Sequence, residues 1–465
     1  MEDTRSRYDA QSRVLDDELR SRIAVVDLSY PDEEGIVGRF VQIGAAAAGL
    51  GLVAGDGAGR RVGGSRLFGS SCARAVGAVN ADVRYRRVDP QNLDLDLGRA
   101  LRSRDTWIVL HANDPSRARE ELATIAGFDG PRVIMDIASP AGVAVWRAER
   151  IRDAMDLLET LGSDVIPTAS VDLAMVAAGL ELNDILLSGL HTEDDDPPAV
   201  GSVGFYSLHR ARLVDAPVGT RFADIVAELA RPVEARGSLA SRRLLQVGAG
   251  GIATWTAIGA ALEGGAALDG GVAVRIFDAD EVSVSNLNRQ ILFDTPGEPK
   301  ARAMARALAE IDPWGLYEPV EQFVQSPDDL GEPDGVTAVV SAVDDDEARV
   351  LLARHCREHG VCLVNGGTSA TGGQATIHPV GAACLECLLQ GKTAPRPESC
   401  ALVAEQSIVS SNLVVGGLML AGLRTALAGG RCQNVGFSGT GECRNRLYKY
   451  PTNVACPHRL APARA

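Results

Sequence analysis

Leu244-Leu-Gln-Val-Gly-Ala-Gly-Gly-Ile-Ala253 opens the stretch that decides the fold, and Asp278-Ala-Asp-Glu-Val-Ser-Val-Ser-Asn-Leu-Asn-Arg-Gln290 completes it. Leu244–Val247 is a short apolar run that stops at a glycine cluster, the pattern of a buried strand. Gly248, Gly250 and Gly251 make a tight turn into an Ala-rich helix over Thr254–Leu262. Glycines let backbone approach a phosphate closely, and a helix start offers free N–H groups and a positive dipole end. A second strand, Val272–Phe277, ends at Asp278, where an acid commonly accepts ribose hydroxyls. Asp280, Asn286, Arg289 and Lys300 then bring an acid, an amide and two cations close behind in sequence. That set suits a triphosphate and is poorly matched to hydride transfer.

These residues resemble the ThiF/MoeB/HesA-type E1-like adenylyltransferase superfamily, enzymes that adenylate carboxylates of ubiquitin-like proteins, sulfur carriers and some peptides. The resemblance rests on the turn Gly248–Gly251, on Asp278–Val282, on Ser285–Gln290 and on Gly297–Lys300. Ala253 stands where the family's turn has a last glycine, which crowds the helix–strand contact slightly. The implied fold is α/β, with Rossmann-like domains of mostly parallel sheet flanked by helices. The implied nucleotide is ATP, with Mg²⁺.

The chain has 465 residues and a formal charge of −15. Its length suits two or three domains, and its charge argues against nucleic acid or an anionic membrane as partner. It begins Met-Glu-Asp-Thr-Arg-Ser-Arg, which does not read as an export leader. Phe40–Gly55 and Leu413–Leu423 are the most apolar stretches, and both read as core or interface helices too short to span a bilayer. Nine cysteines without an export signal point to thiols and a metal site rather than disulfides. The expected location is the cytoplasm.

The first half repeats the order of the second in damaged form. Ile23–Asp27 reads as a strand, but Pro31, Asp32, Glu33 and Glu34 follow where a glycine turn should be, and the acids would repel phosphate. Leu52–Asp56 reads as the next strand, and Arg66-Leu-Phe68 echoes Arg289 to Phe293. Cys72-Ala-Arg-Ala75 stands in the place of Lys300-Ala-Arg-Ala303. Ile108–Leu110 leads to Asp114 and Arg119 as Val339–Val340 leads to Asp344 and Arg349, at the same Asp-to-Arg interval. Val133–Asp136 parallels Val361–Asn365. A repeat of roughly 230 residues indicates two copies of one domain and not a solenoid. The expectation is a degenerate copy over residues 1–230 and an active ATP-binding copy over 231–465, joined near 216–240. The resemblance implies an intramolecular pseudo-dimer like the inactive-plus-active pair of eukaryotic E1 enzymes, and leaves a homodimer open as well. The opening Arg7-Tyr-Asp-Ala-Gln11 resembles the family's start, but Ala10 replaces the arginine that would reach across to the triphosphate. Arg5, Arg7 or Arg13 are the available substitutes.

In the second half, Ala338–Val343 reads as a strand ending at Asp344-Asp-Asp346. Mg²⁺ takes one or two carboxylates plus substrate phosphates. The resemblance makes Asp344 its ligand, and Asp345 and Asp346 read as acids at a helix start. Gly366, Gly367, Gly372 and Gly373 bracket a loop and strand that serve either as tight turns or as a path for an incoming carboxyl tail. Cys384 and Cys387 form a Cys-x-x-Cys pair, which the resemblance makes half of a structural Zn²⁺ site. Cys456 supplies a third ligand, Arg459 replaces the expected fourth, and either Cys443 or His458 completes the set. Cys400 falls in a loop where relatives carry a cysteine that can attack an adenylate. Cys356, Cys362 and Cys432 read as buried apolar residues.

The resemblance implies an enzyme that uses ATP to adenylate a carboxylate, with Arg289, Lys300, Asp344 and Cys400 as catalytic residues. Its partner would be a peptide, as in natural-product biosynthesis, or a small ubiquitin-like or sulfur-carrier protein. The alternatives are a non-catalytic E1-like scaffold and a Rossmann oxidoreductase.

Overall fold

The computed structural model describes residues 17–28, 36–55, 65–88, 97–187, 200–208, 222–233, 236–265, 270–369, 371–389, 408–439, 445–449 and 456. Its first sheet contains β1 (Ala24–Asp27), β2 (Leu52–Gly55), β3 (Arg84–Arg87), β4 (Thr106–His111), β5 (Arg132–Ser139), β6 (Gly142–Ala148) and β7 (Val200–Ser207). They lie in the order β3-β2-β1-β4-β5-β6-β7. The second sheet contains β8 (Arg243–Val247), β9 (Ala273–Phe277), β10 (Leu316–Val320), β11 (Ala338–Ser341), β12 (Cys362–Thr368), β13 (Gly372–His378), β14 (Val435–Gly439) and β15 (Asn445–Lys449). Their order is β10-β9-β8-β11-β12-β13-β14-β15. Strand for strand the two sheets follow one path, with β15 added to the second. Five strands of each are parallel, and the pairs that follow are antiparallel.

The central strands are continuous apolar runs because helices cover both faces. Ala24–Val26 and Ala338–Val340 are buried throughout. The helices are α1 (Asp17–Arg22), α2 (Val37–Ala48), α3 (Cys72–Val79), α4 (Pro115–Ala123), α5 (Ile151–Thr160), α6 (Val171–Leu187), α7 (Phe222–Leu229), α8 (Gly251–Gly265), α9 (Lys300–Ile311), α10 (Asp346–His359), α11 (Leu385–Leu389) and α12 (Val409–Leu427). α6 is buried along its whole length and α12 over Val409–Leu423, as enclosed helices are, and α12 packs along both α6 and α8. Among the described residues α12 is the one helix long and apolar enough to cross a membrane; it lies inside the fold.

One hydrophobic core runs through both halves. Phe40 of α2 meets Trp255 of α8 edge to face, with ring centroids 6.1 Å apart. Two smaller cores cover the far faces of the sheets, one beneath α4, α5 and α7 and one beneath α10 and α11. Polar contacts cross between the halves too. Asp172 of α6 receives Arg236 and, at 3.3 Å, Arg424 of α12, which also pairs with Glu263 at 2.7 Å. Arg66 pairs with Asp294 and donates to Leu292 O at 3.1 Å.

Several boundaries depart from the sequence reading. Phe40–Gly55 is not one helix: α2 stops at Ala48, Gly49 caps it in the left-handed region, and β2 follows. The helix expected from Thr254 begins at Gly251, inside the glycine turn. The stretch 216–240 is not merely a connection, because α7 lies within it and buries Ile225 and Leu229. Gly366, Gly367, Gly372 and Gly373 sit within the paired strands β12 and β13. The acids Asp32–Glu34 and residues 1–16, including Arg5, Arg7, Ala10 and Arg13, lie outside the described residues.

Candidate nucleotide site and cysteine cluster

The loops after β8, β9 and β11 meet at the carboxyl edge of the second sheet, where ligands of such sheets bind. Gly248 has φ 96° and donates its N–H to Phe277 O at 2.8 Å. A Cβ there would stand 2.7 Å from Ala342 O, so glycine is required on two counts. At Gly250 a Cβ would meet no atom within 4 Å, which leaves the turn open on its outer side. Gly251 starts α8 and lies against the Asn412 side chain. The first N–H groups of α8 have no partner within the helix and are available to an anion.

Asp278 is tied into this turn. Its carboxylate accepts from Ala249 N at 2.7 Å and from Asp280 N at 2.9 Å. Burial pushes its carboxyl up, and Lys300 with the two amide donors opposes that rise. Two oxygens offer about four acceptor positions, so Asp278 can hold the turn and still receive hydroxyls. Lys300 begins α9 and is largely buried, with Nζ 2.8 Å from Asp280 Oδ2. A cation at a helix start opposes the dipole; here Asp280 supplies the compensating charge. Asn286 Oδ1 accepts from Ser283 N at 2.9 Å and closes a short capped turn. Arg289 donates to Ser285 O at 2.8 Å and to Asn288 Oδ1 at 3.0 Å. Both side chains therefore build the loop that follows Asp280.

Of the three acids after β11, Asp345 caps α10 and accepts from Ala348 N at 2.9 Å. Asp346 pairs with Arg349 at 3.0 Å. Asp344 is exposed and takes no part in the cap, so its carboxylate suits a Mg²⁺ shared with phosphates. In the first half the capping acid is Asp114, which accepts from Arg117 N. The structural counterpart of Asp114 is thus Asp345, one residue later than the sequence parallel with Asp344 had it. Cys72, in the place of Lys300, accepts from Arg39 Nη1 at 2.9 Å inside the core.

Cys384, Cys387 and Cys456 converge, their sulfurs all within 4.8 Å of one another. Cys384 Sγ is 3.6 Å from Cys456 Sγ, close to the ~3.8 Å edge of a tetrahedron with Zn–S bonds of about 2.3 Å. Three thiols are thus in place for Zn²⁺. Cys443 and His458, the candidates for the fourth ligand, and Cys400 all lie outside the described residues. Arg354 and Arg357 of α10 hold Glu386 between the first two cysteines at 2.7 and 2.8 Å, and their hydrogen bonds lower its carboxyl to about 2. Cys356 and Cys362 are buried, and burial pushes the Cys362 thiol up to about 12. Cys432 is half-buried, its thiol pushed up to about 11.

The ThiF family model matches residues 226–453. The tRNA threonylcarbamoyladenosine dehydratase of Escherichia coli (strain K12) is 33% identical over 139 residues, 29% of this chain and 48% of its own length. The SAMP-activating enzyme E1 of Haloferax volcanii is 36% identical over 166 residues, 35% of this chain and 58% of its own. The chain therefore spans about half the length of the curated relatives it matches. Among solved structures, E. coli MccB with ATP aligns at 16% identity and a TM-score of 0.40, over 47% of this chain and 67% of that one. The glycine turn, the strand-tip acid and the helix-start lysine lie inside the matched segment, and residues 226–453 are a domain of the ThiF family.

Proposed function

We propose that the second half binds ATP and Mg²⁺ and adenylates the carboxylate of a peptide or of a small ubiquitin-like or sulfur-carrier protein. The carrying observation is the open turn at Gly248–Gly251 with Asp278 hydrogen-bonded into it and Lys300 buried beside it. The names of the relatives support the chemistry, one being an activating enzyme E1. In this reading a substrate carboxylate oxygen attacks the α-phosphorus, and the bond to the leaving pyrophosphate breaks. Asp278 orients the ribose. The α8 N–H groups, Arg289 and Lys300 neutralise phosphate charge, Asn286 keeps their loop in shape, and Asp344 holds Mg²⁺. Such catalysis is mainly positioning and charge stabilisation.

The first half serves as a degenerate copy that forms a pseudo-dimer with the second. Its matching strand order supports this, as does Cys72 in the position of Lys300. Zn²⁺ at Cys384, Cys387 and Cys456 would fasten α11 to the chain end. One active half per chain suits a dedicated substrate, which favours a peptide of a biosynthetic route over a general carrier.

ATP–pyrophosphate exchange that requires added peptide or carrier tests the reading. Lys300→Ala and Asp344→Ala should each slow exchange by about 10²-fold, the usual effect of losing one transition-state contact. Wild-type exchange in Lys300→Ala would remove the lysine from the site. ATP binding without exchange would favour a scaffold.

A further inference from the structure

The carboxyl edge of the first sheet holds a charged cluster that the adenylation reading does not use. Asp27 ends β1, His111 ends β4, Asp136 lies in β5 and Glu181 reaches in from α6. Asp136 and Glu181 are fully buried, Asp27 nearly so, and the His111 ring is 18% exposed. His111 Nδ1 contacts Asp136 Oδ1, and its Nε2 is 3.8 Å from Asp27 Oδ1, beyond hydrogen-bond range. One ligand atom each from His111, Asp136 and Glu181 falls within 4.8 Å of the others. No donor reaches either oxygen of Glu181 or Asp136 Oδ2, and His111 Nε2 has no hydrogen-bond partner; the Glu181 and Asp136 carboxyls adjoin each other, and burial together with that neighbour pushes Glu181 up. Gln42 Nε2 donates to Asp27 Oδ2 at 2.5 Å, which fixes that carboxylate from behind.

Three carboxyl groups, all buried, thus surround one imidazole that is only slightly exposed. Burying ionised groups without compensation costs several kcal/mol apiece. The equivalent positions of the second half carry no charge. Val109 pairs with Ile134 as Val340 pairs with Val364, and all four lie in the shared core. Two residues beyond each, the first half has His111 and Asp136 and the second has Ala342 and Gly366. Asp27, which pairs with Val109, is answered by Gln246, which pairs with Val340.

We propose that His111, Asp136 and Glu181, with Asp27 alongside, form a divalent-metal site in the first half. One imidazole with two or three carboxylates is a donor set for Mn²⁺, Fe²⁺ or Zn²⁺ rather than for a soft ion. A bound ion would engage the unpartnered oxygens and cancel the surplus charge. It would also pin β4 and β5 to α6, the helix on which α12 packs. The ion here is structural, separate from the Mg²⁺ at Asp344 and from the thiolate site.

Mn²⁺ binding to the full chain, freed of loosely held metal and without ATP, tests this by the loss of the free-ion paramagnetic resonance signal. Wild type and Asp344→Ala should each bind one equivalent. His111→Ala and the near-isosteric Glu181→Gln should weaken that binding by at least about tenfold. Mn²⁺ should raise the melting temperature of wild type and Asp344→Ala, and leave a folded Glu181→Gln unmoved. No Mn²⁺ bound by ATP-free wild type would overturn the proposal, and a proton shared by Glu181 and Asp136 would then account for the cluster. Binding abolished by Asp344→Ala and kept by His111→Ala would overturn it equally.

Discussion

His378 closes β13 with its ring buried, Nδ1 2.7 Å from Ala383 O and Nε2 3.1 Å from Thr376 Oγ1. That pattern fits the neutral ring, with Nδ1–H donating to the carbonyl and Nε2 accepting from the hydroxyl. Burial lowers its pKa from 6.5 to about 4. The unfolded chain then binds the proton more readily, so stability is full above about pH 6.5 and falls as pH drops toward 4. At 1.36 kcal/mol per unit the loss is roughly 3 kcal/mol. Urea midpoints of wild type and His378→Asn, compared from pH 7 to 4, should converge as acid removes the wild-type advantage; a constant gap would contradict the assignment. Single residues were the least legible part of the sequence. Asp278, Lys300 and the glycines carry their roles in spacing. Asp345 and Asp346 were legible as helix-start acids, but that Asp345 and not Asp344 answers Asp114 of the first half is decided by where α10 begins, a difference of one residue that spacing cannot resolve.

α12 is held between two helices by two adjacent glycines. A Cβ at Gly416 would lie 2.9 Å from Trp255 Cβ of α8, and one at Gly417 would lie 2.7 Å from Asp172 O of α6. Gly179 of α6 returns the contact, with a Cβ 2.6 Å from Val414. Larger side chains here force the helices apart, and overpacking of this kind costs typically about 1–3 kcal/mol. Gly417→Val and Gly179→Val should each lower the urea midpoint by that order, whereas Gly429→Ala is no control because its φ is 71°. Gly77→Ala in α3 meets no atom and should leave stability within about 0.5 kcal/mol or improve it. The apolar run of α12 was plain in the sequence. α6 was not, because Asp172, Glu181, Asn183 and Asp184 interrupt its run; all four are buried. Charges in an apolar helix read as solvent exposure until a second half is there to cover them.

Across the whole molecule, the repeated strand order was visible in the sequence as parallel motifs, and the shared core was not. Burial raises the Asp172 carboxyl, but Arg236 and Arg424 outweigh it, so the net shift is downward. Its stabilising effect is therefore complete above the ordinary carboxylate range and is lost as pH falls through it. Asp172→Ala would strand two guanidinium groups, and breaking a buried pair in this way costs about 3–5 kcal/mol. Because Asp172, Arg236, Arg424 and Glu263 draw on both halves, that loss should appear in calorimetry as one transition at lower temperature. Two resolved transitions, with only one displaced, would show the halves to be independent. Residues 231–465 produced alone would bare the α12 face that α6 covers, and should aggregate.

The enclosure of α12 also has a consequence for solvent isotope labelling. Helices on the rim of a fold release their amide protons through small local openings, but an interior helix gated by packing on both flanks has no such partial route. The backbone amides of Leu413–Leu423 should therefore be among the last in the chain to take up deuterium, at a rate set by global unfolding alone.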